Sequence, residues 1–158
     1  MSVLSSRCRL RLFSVLLASM LMAPALTSAQ SIVALRHWFY PGNNDNFYTT
    51  DTGTPALYEW RGIAAYVYDG PAAGTVPLVQ YYDPVSGRHF YTTGTAPGSP
   101  WINEGTVCYV LAAPAAGTVP LYRWFNTSTG SHYYSSDSTP PYGGGWVYEG
   151  HEGYVYPS

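Results

Sequence analysis

The sequence predicts an all-β domain. It is read as three copies of a segment of about 43 residues, four short strands in each, in a pseudo-threefold β-trefoil-like fold or, alternatively, a threefold β-prism. Three observations lead there. The phrase DNFYTT (45–50) returns as RHFYTT (88–93) and again as SHYYSS (131–136). The chain carries sixteen Tyr and five Trp, rings that suit pleated, half-buried surfaces better than helices. Clusters of Pro, Gly, Ser and Thr interrupt the aromatic runs every few residues, which is the punctuation of short strands.

The first 29 residues stand apart. Arg7, Arg9 and Arg11 make a positive head, 12–26 is apolar apart from Ser14, Ser19 and Pro24, and Thr27-Ser28-Ala29 offers small residues for cleavage. This is the pattern of a signal peptide, and it implies a secreted, extracytoplasmic protein. The apolar run is too short for a membrane span, which needs roughly 20 residues, so no membrane insertion of the mature chain is expected. Removing these residues leaves 30–158, a length suited to one domain with a core of its own. That segment holds four Arg, no Lys and nine acidic residues, a net charge of −5. So few scattered cations offer nothing to neutralise a phosphate backbone, so nucleic acid is excluded as a partner.

The copies are 33–75, 76–118 and 119–158. Leu35, Leu78 and Leu121 are 43 apart, as are Phe47, Phe90 and Tyr133, and the linker PAAGTVPL occurs unchanged at 71–78 and 114–121. In the third copy the glycine matching Gly62 and Gly105 arrives two residues late, as Gly150, because PPYGGG (140–145) lengthens a loop. Within that copy LYRWFN (121–126) is joined through TSTG to SHYYSS, and the Gly and polar residues of the junction suit a hairpin. WVYEG (146–150) and GYVY (153–156) then read as the third and fourth strands.

Period-two alternation sorts the faces. Leu121 and Phe125, with Leu35, Phe39, Leu78 and Tyr82, form the expected core face of the first strand. Trp38, Tyr81 and Trp124, with Asp83 and Asn126, fall on the other face. In the second strand Phe47, Phe90 and Tyr133 are expected inside. Asn46, His89 and His132 are expected to share the outer face with Tyr48, Tyr91 and Tyr134.

HFYTT followed by Trp101, Glu104 and Gly105, and SHYYSS followed by WVYEG, resemble an uncharacterised secreted repeat family marked by H-F-Y-T and W-x-x-E-G phrases. The resemblance covers essentially the whole mature chain. Its members occur alone or beside cell-wall and polysaccharide hydrolases, which implies a role in attachment to carbohydrate or to the cell envelope. It supplies no catalytic residues. The first copy departs from the pattern, with Asn46 in place of the His and Arg61 in place of the Glu.

Catalytic and metal chemistry find little support. Glu104 and Glu149 are the only candidate carboxylate pair for glycoside hydrolysis, yet they hold the same position in two copies, whereas acid and base need different environments. As structural residues they would lie near the threefold axis, where Arg61 would neutralise both. His89 and His132 lack the local spacing of a zinc site, and NNDN (43–46) lacks the calcium-loop pattern and reads as a turn. Cys108, matched by Ala65 and Gly153, reads as a small buried residue. Asn126-Thr127-Ser128 is a formal glycosylation sequon.

These readings converge on a non-catalytic, lectin-like domain that binds cell-wall or extracellular polysaccharide and uses neither cofactor nor metal. Aromatic rings stack on sugar faces while polar neighbours bond the hydroxyls. The expected binding residues are Trp38, Tyr81, Trp124, Asp83, Asn126, His89 and His132, with Trp101 and Trp146 next. Repetition favours binding, because copies of a weak site gain avidity on a polymer. A structural or protein-interaction module is the alternative, and a small glycoside hydrolase the third reading.

Overall fold

The computed structural model describes residues 30–141 and 143–158, so the expected signal peptide lies outside the described residues. Nine strands follow one another: β1 (Ile32–Tyr40), β2 (Asp45–Thr49), β3 (Glu59–Tyr68), β4 (Thr75–Asp83), β5 (Arg88–Thr92), β6 (Ile102–Leu111), β7 (Val119–Asn126), β8 (His132–Ser135) and β9 (Trp146–Val155). All are antiparallel members of one open sheet, and no helix occurs among the described residues. β1 pairs with β2 and β3, β4 with β5 and β6, and β7 with β8 and β9. Among the described residues the sheet pairing between these groups is confined to strand ends, at Tyr68 opposite Tyr109, Leu111 opposite Tyr154, and a bridge between Tyr66 and Tyr156.

The expected four strands per copy are three. The segments around W-x-x-E-G and the following Tyr-Val run form a single ten-residue strand each time, β3, β6 and β9. Gly150 is expected to close the third strand of its copy, with Gly62 and Gly105 as its counterparts. Gly62, Gly105 and Gly150 sit instead at φ +124°, +108° and +131° beside paired register shifts. Glycine at positive φ lets the strand carry an extra residue and bend without ending.

Leu35, Leu78 and Leu121 are fully buried as expected, with Val67, Val110 and Val155 around them. The second-strand faces are the reverse of the expectation. Tyr48, Tyr91 and Tyr134 are at most 1% exposed, while Phe47, Phe90 and Tyr133 are only half-buried. Their hydroxyls explain the inversion. The backbone N–H of Tyr48 donates to the Tyr91 hydroxyl, that of Tyr91 to Tyr134, and that of Tyr134 to Tyr48, each at 2.8 Å. The three rings meet edge to face at 5.4 Å. A buried phenol needs a partner, and each group of strands supplies one to the next. Each ring also removes enough apolar area to give roughly 4 kcal/mol of gross stabilisation before chain entropy is set against it.

The first-strand faces also depart from simple alternation. Trp38 and Tyr81 are buried, whereas Phe39, Tyr82 and Phe125, expected in the core, are half-buried. The bulged half of β3 brings Trp60 over Trp38, with ring centroids 5.0 Å apart, so both faces of β1 are covered there. Cys108 is sealed in the core, where burial pushes its thiol up to about 12.

Candidate ligand-binding site

The hairpins β1–β2, β4–β5 and β7–β8 come together through their tips and second strands. The Asn43 amide donates to the carbonyls of Ser86 and Gly87, Arg88 Nε donates to the Asn43 carbonyl, and the Ser131 hydroxyl donates to the Asn44 carbonyl. Three crevices lie between neighbouring hairpins, and their contents differ.

Between β2 and β5 the crevice is filled by His89. Its ring pairs through Nδ1 with Asp45 Oδ2 at 2.6 Å and lies 3.5 Å from Glu104 Oε2 through Nε2. Asp45 is 1% exposed and also accepts the His89 backbone N–H and the Tyr58 hydroxyl, both at 2.7 Å. Phe47 and Tyr82 pack on the imidazole from either side.

Between β5 and β8 the filling is His132, held between Phe90 and Phe125 with Nε2 3.4 Å from Glu149 Oε2. Arg123 lies over Phe90 and binds both Glu149, at 3.0 Å, and Glu152. Glu152 is buried and also accepts the Thr93 N–H and the hydroxyls of Thr92 and Thr93. Burial, and then the nearby Arg123 charge, lower the His132 pKa to about 4. The Glu149 carboxylate that faces the ring is also bonded to Arg123.

Between β8 and β2 the crevice is open, with a cavity of about 440 Å³. The residues that fill the other two are shorter or turned away here. Asn46 stands where the others have histidine, and Ser131 where they have Asp45 and Arg88. Arg61, the counterpart of Glu104 and Glu149, lies across the Phe39 ring at 4.8 Å and pairs with Glu59 at 2.7 Å. That pairing corrects the expectation that Arg61 neutralises Glu104 and Glu149, each of which has its own partner. His37 forms one wall. The Asn46 amide nitrogen donates to the His132 carbonyl at 2.9 Å, so its oxygen is the acceptor for His37 Nε2–H at 2.8 Å. Burial lowers the His37 pKa to about 4 against that hydrogen bond, so the ring is neutral at pH 7. Tyr133 meets His37 edge-on at 5.3 Å and Trp146 at 5.8 Å, and the 140–145 loop contributes Pro141, Gly143 and Gly144 to the rim.

The seven expected binding residues do not form one surface. Trp38 and Tyr81 are buried, and Trp124 packs against Tyr148. The indole N–H groups of Trp38 and Trp124 reach no acceptor among the described residues. Asp83 is occupied in its own turn, accepting from Val85 N–H and the Ser86 hydroxyl. Asn126 borders the open cavity, but its amide accepts from Ser128 and Thr129 N–H and donates to Gly144. At 7% exposure it is also a poor glycosylation acceptor. His89 and His132 plug the two closed crevices. Sequence reasoning missed His37, Phe39 and Tyr133 as cavity residues and placed Trp146 second. The available signals were the first-copy departures at Asn46 and Arg61 and the lengthened 140–145 loop.

No cluster of three or more His, Cys, Asp or Glu that would hold a metal occurs among the described residues. No described helix is long and apolar enough to cross a membrane. The fold and its crevice define an all-β domain with a preformed mixed aromatic and polar cavity between β2 and β8. Residues 20–99 match the family described as a domain of unknown function (DUF5648), and the chain belongs to that family. The match includes His37, Asn46 and Arg61, while Tyr133 and Trp146 on the opposite wall lie beyond it. No curated protein and no solved structure matches the chain.

Proposed function

We propose that this chain is a secreted, non-catalytic carbohydrate-binding domain that takes a unit of cell-wall or extracellular polysaccharide into the β2–β8 crevice. One observation carries the reading: a cavity of about 440 Å³ in which the rings of Phe39, Tyr133 and Trp146 stand beside the polar groups of Asn44, Asn46 and Arg61. Its volume is in the range of ordinary ligand sites, about 300–1,000 Å³. Rings beside hydrogen-bonding groups suit the alternating apolar faces and hydroxyl edges of a sugar. The reading includes a pseudo-threefold, trefoil-like arrangement of 43-residue copies, supported by the tyrosine ring and the repeated strand pairings. It also includes export through the segment 1–29. Because the other two crevices are plugged, the domain presents one site of this kind, and avidity from three equal sites is no longer part of the case. Glu104 and Glu149 occupy different crevices, each in contact with its own histidine, which favours binding over hydrolysis.

The test is retention of the domain from Gln30 onward on a panel of insoluble polysaccharides and cell walls, beside Trp146→Ala and Asn46→His. The histidine would plug the crevice as His89 and His132 plug theirs. Wild-type retention with at least a tenfold loss in both folded variants is the expected result. Retention unchanged in both variants removes the site, and no retention on any polysaccharide ends the reading.

A protein-interaction role is the second reading. Trp60, Ile102, Val147 and Tyr148 are each about half exposed on the early parts of β3, β6 and β9, which have no strand partner on their outer side. Such edges present both apolar side chains and free backbone groups.

A further inference from the structure

The β2–β8 crevice differs from the other two in charge as well as in space. Among the described residues that line it, Arg61 is the only charged one, and no Asp or Glu is present. This is unusual in a mature chain with four Arg, no Lys and nine acidic residues. The equivalent positions on β6 and β9 carry the opposite sign, Glu104 and Glu149, and both point to the histidine of their own crevice. With His37 neutral, Arg61 is the only cation among the described residues that line the open crevice; Glu59 is paired with it from outside the cavity at 2.7 Å, and the buried Asp45 carboxylate acts on His37 from behind the wall.

We infer that the crevice selects a saccharide bearing a carboxylate, a uronic acid unit, with Arg61 as the residue that binds the acid group. The inference rests on the carbohydrate-binding reading above and names the substrate class of the same site. The guanidinium is a planar fork of donors matched to a carboxylate's two oxygens. Its place at the crevice is held by the Phe39 ring beneath it, 4.8 Å from the guanidinium carbon. Its present counter-ion is exchangeable: the Arg61 and Glu59 side chains are 45% and 55% exposed, and such a pair contributes little. Glu59 does not line the cavity, so a ligand acid that enters displaces a solvent-side contact and leaves no buried group unpaired. The rings of Tyr133 and Trp146 then face the rest of the sugar, which keeps the site from being a purely ionic one.

The experiment measures binding of the domain from Gln30 onward to polygalacturonate oligomers, to the same oligomers after carboxyl reduction, and to a panel of neutral glucans. Arg61→Gln, Arg61→Lys and Trp146→Ala are run beside the wild type. Arg61 is exposed, so its variants are expected to unfold at the wild-type temperature. The expected result is binding to the uronate that falls at least tenfold on carboxyl reduction and at least tenfold in Arg61→Gln. Arg61→Lys should retain part of it, and Trp146→Ala should lose it. Equal binding of the reduced and acidic oligomers, or unchanged uronate binding in Arg61→Gln, overturns the charge assignment and leaves a neutral saccharide site standing. Uronate binding unaffected by Trp146→Ala and abolished by moderate salt overturns it as well, since attraction to the surface alone would explain it. If neither acidic nor neutral saccharide binds, the carbohydrate reading fails together with the inference.

Discussion

Replacing Tyr134 by Phe tests whether the buried tyrosine ring holds the three hairpins together. The hydroxyl of Tyr134 does two things: it accepts the Tyr91 backbone N–H at 2.8 Å and donates to the Tyr91 carbonyl at 2.7 Å. Both residues are at most 1% exposed, so water cannot replace the lost partner without opening the core. An orphaned buried donor costs about 1–3 kcal/mol, and the carbonyl adds a smaller penalty, so Tyr134→Phe should destabilise by about 3 kcal/mol. No ring volume is removed, which separates this cost from that of a cavity. For a domain of this size the loss corresponds to a fall in Tm of roughly 10 °C. Urea unfolding followed by tryptophan fluorescence measures it, with Tyr148→Phe as the control. The Tyr148 side chain is about half exposed and makes ring contacts only, so its variant should stay within about 0.5 kcal/mol of wild type. The midpoint should move in Tyr134→Phe while the slope stays the same. A loss below about 1 kcal/mol, or one no larger than the control's, would refute the claim that these hydroxyls pair otherwise unsatisfied amides.

Two further outcomes follow from buried titratable groups. His37 and His132 both have folded pKa values lowered to about 4 from an ordinary 6.5, by burial first. Their unfolded forms therefore bind more protons between those values. Stability should be fully present above about pH 6.5 and fall as the pH drops toward 4, by an upper bound on the order of 3 kcal/mol for each histidine. His132→Asn should flatten that dependence in urea melts recorded at pH 7, 6 and 5. An unchanged slope would mean that the facing Glu149 carboxylate offsets burial, so that His132 binds a proton equally well folded and unfolded. Cys108, with its thiol pushed up to about 12 and sealed at 1% exposure, should resist Ellman's reagent in the folded domain at pH 8 and react on unfolding in urea. Rapid labelling of the native protein would show that the core opens locally around β6.

The strand-only architecture, the hairpins and the buried Leu35, Leu78 and Leu121 are legible in the chain alone. The 43-residue spacing and period-two alternation report local geometry directly, and β-strands impose that geometry wherever they occur. The division between Tyr48 and Phe47, and their counterparts, was not legible from alternation. Both neighbours are aromatic, and period two says which residues share a face without saying which face is inside. A hydroxyl kept at all three second-strand tyrosines, against Phe47, Phe90 and Tyr133 where it varies, was the one sequence sign of which ring would be buried. The bulges at Gly62, Gly105 and Gly150 were hidden for a similar reason, since a glycine that ends a strand and one that bends it look alike in one dimension. The candidate site depended most on tertiary structure. Asn46, Arg61 and the PPYGGG loop are visible departures in the sequence, but they lie in the first and third copies. Only the meeting of β2 with β8 puts these substitutions around one cavity, where shorter side chains leave room that His89 and His132 fill elsewhere.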